Sequence, residues 1–300
     1  MQSFDLKDLP TKEAHAFLLG SVGPRPIALA STISNDGVPN LSPFSYFNVF
    51  STQPPTLIFS PARRVRNNTT KDTLEFADQT REVVINIVSY DIVQQTSLAS
   101  TEYETGVNEF VKAGLTPIES DHVKPFRVKE SPVQFECKVT DIVALGTEGG
   151  AGNLVICEVV RMHVNEKVLD SNGKIDQQKI DLVGRMGGNY YCRASGSALF
   201  EVEKPLSTKG IGVDNIPKRI VESPFLDGND LGILGNVEKL PNQDEIREYV
   251  KTSEVRSIFS HWGDSLEARE ELHQFAKELL NQGRVMEAWK TLLSDQLKRD

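Results

Sequence analysis

The stretch Pro132-Val-Gln-Phe-Glu-Cys-Lys-Val-Thr-Asp-Ile-Val-Ala-Leu145, followed after a loop by Leu154-Val-Ile-Cys-Glu-Val-Val-Arg-Met-His-Val164, decides how the chain is read. Val133, Phe135, Cys137 and Val139 alternate with Gln134, Glu136, Lys138 and Thr140, which predicts a strand with one buried face. The loop Gly146-Thr-Glu-Gly-Gly-Ala-Gly-Asn153 joins it to a second strand, giving an antiparallel hairpin. That loop is Gly-rich but lacks the lysine of a phosphate-cradling P-loop, so its expected role is a turn.

Upstream, the same texture continues. Pro26–Ile33 is an apolar run stopped by Asn35-Asp36-Gly37, a hairpin signal. The chain resumes through Phe44, Phe47 and Phe50, and Thr56–Ser60 follows the Pro54-Pro55 break. Val83–Val88 is a β-branched run suited to a buried strand. Short helices are predicted near Lys71–Asp78, Asp91–Ala99 and Asn108–Lys112. None is placed to build repeated βαβ units, so an antiparallel barrel or sandwich is expected.

Downstream the texture changes after about Glu203. Lys204–Gln243 is rich in Gly, Pro and Asn and reads as an extended connector. It carries Ile211, Ile216, Ile220, Phe225, Leu231 and Leu234, too many apolar residues for a free linker. From Asp244 the pattern is helical. Leu272, Phe275, Ala276, Leu279 and Leu280 form one stripe, with Asp264 or Ser265 as its N-cap and Gly283 at its end. A further helix is expected over Arg284–Lys298. The expected division is 1–203, a barrel domain; 204–243, a connector packed along it; and 244–300, a helical extension docked near a ligand cleft or a dimer seam.

Composition excludes several classes. The net charge of −9 disfavours nucleic acid or an anionic membrane as partner. No apolar run nears the roughly 20 residues of a membrane span, and the first residues lack the features of a signal peptide. Cys137, Cys157 and Cys192 are scattered and odd in number, which fits a reducing cytoplasm better than a disulfide framework. His15, His122, His163, His261 and His273 show no metal-ligand spacing, and no metal is expected. Dinucleotide, P-loop, zinc-protease and nucleophile-elbow signatures are missing.

One segment stands out in so acidic a chain. The 35 residues from Gly37 to Lys71 contain no Asp or Glu, yet hold Arg63, Arg64, Arg66 and Lys71. Asp72-Thr73 and a helical pattern follow at once. Cations, hydroxyls (Ser60, Thr69, Thr70, Thr73) and a helix N-terminus together suit a phosphate; a solvated basic loop is the competing reading. Just before it, Asn40-Leu-Ser-Pro-Phe-Ser-Tyr-Phe-Asn48 sets hydroxyls, a proline and aromatics side by side. A flat aromatic ligand needs such a wall, and a phosphorylated flavin needs both features.

These residues resemble the flavin-reductase-like FMN-binding split barrels. The resemblance runs in order through Gly-Pro-Arg-Pro-Ile-Ala (23–28), Asn-Leu-Ser-Pro-Phe-Ser-Tyr-Phe (40–47), Gln-Pro-Pro (53–55) and Lys-Asp-Thr (71–73). It continues with Val-Val-Ile-Asn-Ile (83–87), Asn-Glu-Phe-Val-Lys-Ala-Gly-Leu (108–115), Glu-Ser-Pro-Val-Gln-Phe-Glu-Cys (130–137) and Val-Gly-Arg-Met-Gly-Gly-Asn-Tyr-Tyr (183–191). It implies a mainly β fold, a six-stranded antiparallel Greek-key split barrel with short helices. A homodimer with FMN at the subunit interface is implied as well, with the α-helical C-terminal extension outside the common core. Carried over, Ser42, Pro43, Phe44 and Ser45 line the isoalloxazine; Ser60, Arg63, Lys71, Asp72 and Thr73 form the ribityl-phosphate end; Arg185 closes the cleft. Two departures stand: Phe76 replaces a common Asn, and Asp72 sets a negative charge beside the phosphate, where its side chain is expected to cap the helix. The implied activity is an FMN-dependent oxidoreductase of the NAD(P)H:flavin reductase kind, with NAD(P)H as a transient co-substrate and a small molecule or protein as electron acceptor. A flavoprotein oxygenase, an electron carrier and a non-catalytic flavin-binding module are the alternatives.

Overall fold

The computed structural model describes residues 1–251 and 253–297 and divides into two compact units, Met1–Phe200 and Glu201–Asp300. The first unit begins with helix α1 (Thr11–Ser21), then strands β1 (Ala28–Ile33), β2 (Pro39–Phe44), β3 (Phe47–Thr52) and β4 (Pro55–Phe59). Helix α2 (Asp72–Thr80) leads to β5 (Glu82–Ile87), α3 (Val93–Leu98), α4 (Glu109–Ala113), β6 (Pro117–Ile118) and β7 (Arg127–Val128). The long hairpin β8 (Val133–Ala144) and β9 (Asn153–Val164) follows, then β10 (Leu182–Arg185) and β11 (Tyr191–Ala194).

Seven of these strands form one antiparallel sheet in the order β2-β1-β5-β8-β9-β4-β3. Its two edges, β2 and β3, are joined only by Ser45-Tyr46. Laid flat, seven strands would hold those edges about 29 Å apart, whereas Phe44 and Phe47 can be at most about 11 Å apart. The sheet must therefore roll into a barrel that opens where β2 meets β3. Here the six-stranded expectation is corrected to seven. The segment 39–52 leaves the ladder at Ser45-Tyr46 to turn the corner, so it supplies one strand to each edge.

Alternation fills the barrel. Ala28, Ala30, Phe44, Phe59, Val83, Ile85, Cys137, Val155 and Cys157 pack inside, with Leu74 and Ala77 of α2 against them. The other face of β1 and β2 offers Leu29 and Leu41 to Ile92, Phe110, Ala113 and Val183. Both faces of β1 are thus covered, which explains its unbroken apolar run. The one-sided reading of β8 fails at its start, because Gln134 and Glu136 are buried too. Glu136 accepts from the N–H groups of Asp121 (2.8 Å) and His122 (2.6 Å) and sits 2.7 Å from His163 Nε2. Gln134 Nε2 donates to the carbonyls of Val128 and Ser131. Polar residues are buried here because the loop before β8 folds over that face and satisfies them.

The second unit is helical: α5 (Lys218–Val221), α6 (Gly228–Gly235), α7 (Gln243–Val250), α8 (Ser253–Trp262), α9 (Leu266–Asn281) and α10 (Val285–Leu293). The stretch 204–243, expected to be extended, instead contains α5 and α6, and Ile216, Ile220 and Leu234 enter the core around Trp289, Leu279 and Leu292. Trp289 Nε1 donates to the Leu234 carbonyl at 3.1 Å. The stripe of α9 is buried at Leu272, Ala276, Leu279 and Leu280, with Phe275 partly covered. Ser265, not Asp264, caps its start by accepting from the Ala268 N–H, and Gly283 follows its end at φ +73°. The last helix ends at Leu293, short of the expected span, whose final residue Lys298 lies outside the described residues.

Candidate functional site

Two adjoining cavities lie in the first unit, and Ser100 lines both. The larger, about 650 Å³, falls in the range of pockets that enclose small-molecule ligands. Its walls come from Pro43 and Ser45 at the barrel opening, Tyr90, Val93 and Gln94 at the start of α3, and Val183, Arg185, Tyr191 and Arg193 of the β10–β11 hairpin. No Asp or Glu lines it. The smaller, about 30 Å³, is polar and lies at the start of α2, between Ser42, Arg64, Lys71, Asp72, Thr73, Glu102 and Glu109.

The geometry at α2 follows from its cap. Lys71 occupies the N-cap position without a side-chain cap, and its carbonyl takes the Leu74 and Glu75 N–H groups. The N–H groups of Asp72 and Thr73 are the orphan donors of the first turn. Asp72, expected to cap, is instead the first residue of the helix, and Lys71 stands at the cap position. Thr73 is buried and its Oγ1 accepts from Asn40 Nδ2 (2.8 Å), which also donates to Thr32 (3.0 Å). The Thr73 proton is thereby left free to point elsewhere.

The charges around this cavity are unevenly matched. Glu102 takes both Arg64 (3.6 Å) and Arg66 (2.9 Å), so a distant segment meets two of the four cations of the acid-free stretch. Lys71 forms no ion pair among the described residues; its Nζ stands 5.5 Å from the centre of the Phe44 ring. Burial, and next the charge of Arg64, push its ammonium below the ordinary lysine range, with Glu102 opposing. Burial pushes the Glu109 carboxyl up, against the N–H of Leu41 that it accepts at 3.1 Å. Lys71 is thus a half-buried cation with no direct ion pair among the described residues, although Asp72, Glu102 and Glu109 line the same cavity.

The sequence-derived residues divide accordingly. Pro43, Ser45 and Arg185 line the larger cavity; Ser42, Lys71, Asp72 and Thr73 line the smaller. Phe44 does not face either, since it turns into the barrel against Phe59, ring centres 5.3 Å apart. Ser60 is buried against Gly152, where a Cβ would stand 2.6 Å from its hydroxyl. The Arg63 guanidinium is taken up by Asn68, at 2.6 Å from both Oδ1 and the carbonyl oxygen. Phe76 lies on the buried face of α2.

Sequence reasoning passed over Arg25, Tyr90, Ser100 and Arg193. Arg25 is buried and donates to the carbonyls of Leu19 (2.9 Å), Val22 and Met186 (2.9 Å), with Ser45 Oγ 3.5 Å away. It ties the end of α1 and the β10–β11 turn to the cavity wall, and its place inside Gly-Pro-Arg-Pro was a usable signal. Burial, and less strongly Arg185, push its guanidinium below its usual range, against Tyr46. Arg193 lies two residues beyond the last motif quoted above. The period of a strand continued from Tyr191 points to it.

Other clusters resolve as structural. Asp121, Glu136 and His163 bring potential ligand atoms within 4.8 Å of one another, which sequence spacing did not reveal. Glu136 is already committed to two N–H groups and His163, while Arg127 and Arg161 face the group at 3.8 and 3.4 Å. Cys137 and Cys157 are buried thiols pushed far up by burial; all three cysteines are free. No helix among the described residues is long and apolar enough to cross a membrane.

The comparisons agree with this architecture. An uncharacterized protein of Aquifex aeolicus (strain VF5) is 38% identical over 199 residues, covering 66% of this chain and 99% of that protein. The crystal structure of nitrilotriacetate monooxygenase component B from Bacillus cereus superposes with a TM-score of 0.63 at 30% identity, over 67% of this chain and 98% of that one. Pseudomonas fluorescens 2-nitrobenzoate 2-nitroreductase NbaA gives a TM-score of 0.60 at 25% identity, over 70% of this chain and all of that one (100%). The flavin reductase like domain model matches residues 20–179. With seven strands rolled into a barrel split between β2 and β3, and this match across it, the chain belongs to the flavin reductase like family.

Proposed function

We propose that this protein binds FMN across the two cavities and acts as an FMN-dependent oxidoreductase of the NAD(P)H:flavin reductase kind. One observation carries the reading: a large acid-free cavity with tyrosine walls adjoins a small polar one holding an unpaired, half-buried lysine at a helix start. FMN has the matching halves, a flat ring system and a phosphate. The residues fit the group. Lys71, the N–H groups of Asp72 and Thr73, and the Ser42 and Thr73 hydroxyls would hold the phosphate. Pro43, Ser45, Arg185 and Tyr191 would hold the ring, while Arg25 fixes Ser45 and the β10–β11 turn. Bound there, the flavin would supply electron transfer, and the protein binding and orientation. The acid-free walls keep repulsive carboxylates away from the negative charge carried by reduced flavin and by nicotinamide dinucleotides.

Dimerisation belongs to the same reading. The edge strand β3 leaves Val49 and Phe50 59% and 63% exposed, an open edge that a second copy of the chain would cover. A second functional reading, a flavoprotein oxygenase component that uses reduced FMN with dioxygen on an organic substrate, is favoured by the similarity to component B of a monooxygenase. The test is anaerobic rapid mixing of the FMN-loaded protein with NADH and with NADPH. Fast bleaching of the flavin band by either donor is expected. If oxygen then re-forms the band faster with an added organic substrate that becomes hydroxylated, the oxygenase reading is supported; no bleaching with either donor contradicts the reductase.

A further inference from the structure

The hairpin β10–β11 carries more charge into the larger cavity than a flavin ring calls for. Its register pairs Val183 with Arg193 and Arg185 with Tyr191, so these four residues share one face, and all four line the cavity. The Arg185 guanidinium lies 4.6 Å from the centre of the Tyr191 ring, and that of Arg193 3.8 Å from the centre of Tyr90. Asp181 organises the second pair. Its carboxylate accepts from Arg193 Nε (2.8 Å) and Nη2 (2.6 Å), while its carbonyl accepts the Tyr90 N–H at 2.9 Å. It does so at φ +48°, a conformation uncommon outside glycine.

A guanidinium has five N–H donors in a fixed fork. Asp181 uses two on one edge, and Tyr90 covers a face, so three remain, two of them side by side on the end edge already oriented. Arg185 adds a cation that makes no ion pair among the described residues. Asp181 balances the Arg193 charge from the opposite edge, so an oriented donor edge beside Arg185, in a cavity with no acidic lining residue, is what would recognise an oxyanion. We propose that the Tyr90–Arg193 corner is an anion subsite for a second ligand, and that it takes either the phosphates of a dinucleotide or the carboxylate of an organic acid. The proposal rests on the flavin reading only in naming that ligand the second one.

The test titrates the full-length, FMN-loaded protein with two probes, ADP-ribose for the phosphate source and benzoate for the carboxylate source. At least one should bind, and more weakly as salt rises. Arg193→Gln should weaken that probe about tenfold or more, and Arg193→Lys should restore part of the loss. FMN affinity should change less than about twofold in either variant, since a cofactor held at α2 does not depend on this fork. The probe that responds identifies the source. If neither probe binds, if Arg193→Gln binds both as tightly as the wild type, or if FMN affinity falls as far as probe affinity, the subsite is wrong. The titrations are repeated without FMN. Arg193-dependent probe binding by a chain that takes up no FMN would keep the subsite and overturn the flavin reading instead.

Discussion

Burial alone would raise the carboxyl of Glu136; the Asp121 and His122 N–H groups and the His163 ring together hold it below the usual carboxylate range. A group depressed in the folded state stabilises fully above its unfolded pKa, near ~4.3 for Glu, and that stability is lost as pH falls through the folded value. Glu136→Gln should therefore cost on the order of 3–5 kcal/mol at neutral pH. It should also flatten the loss of stability below about pH 4.3, read by denaturant unfolding at a series of pH values. An unchanged acid slope would mean that other carboxylates govern it. Other residues show what the sequence did and did not reveal. Lys71, Asp72 and Thr73 were legible because a basic run meeting a helix start is a local event. Phe44, Ser60 and Arg63 were carried over from the family resemblance, which does not give a side chain's direction; that depends on the pleat and on partners such as Asn68 and Gly152. Glu102, which pairs with both Arg64 and Arg66, comes from far along the chain.

At the scale of elements, the β8–β9 hairpin was readable because both strands are long and alternate. The hairpin β10–β11 was not, since four-residue strands with Gly184 and two arginines carry little periodicity. Gly184 is required for packing: a Cβ there would stand 2.6 Å from Pro24 Cβ. Of the helices within 204–243, α5 has no side-chain cap and only α6 carries capping chemistry in its sequence. Asp227 and Asp230 form a capping box at α6, as do Asn242 and Glu245 at α7. Strand β3 is the element on which assembly is expected to depend. Phe50→Asp should raise the dimer dissociation constant on the order of ten- to thirtyfold in sedimentation experiments. A wild type that sediments as a monomer, or a variant that dimerises equally well, would remove β3 from the interface.

On the scale of the whole molecule, the fold class was readable and the strand count was not, because a strand that turns a corner looks continuous in sequence. Each unit holds its own core, one around Phe59 and Ile85 in the barrel, the other around Trp289 and Leu279. Both cavities are lined from residues 27 to 193. Whether one FMN spans those cavities with its phosphate at α2 is tested most directly by a parallel titration with FMN and riboflavin. The wild type should bind one FMN per chain and favour it over riboflavin. Lys71→Ala should weaken FMN about ten- to hundredfold, the loss of one charge-assisted contact, and leave riboflavin nearly unchanged. Equal affinity for the two flavins in the wild type, or equal losses for both in the variant, would contradict the account.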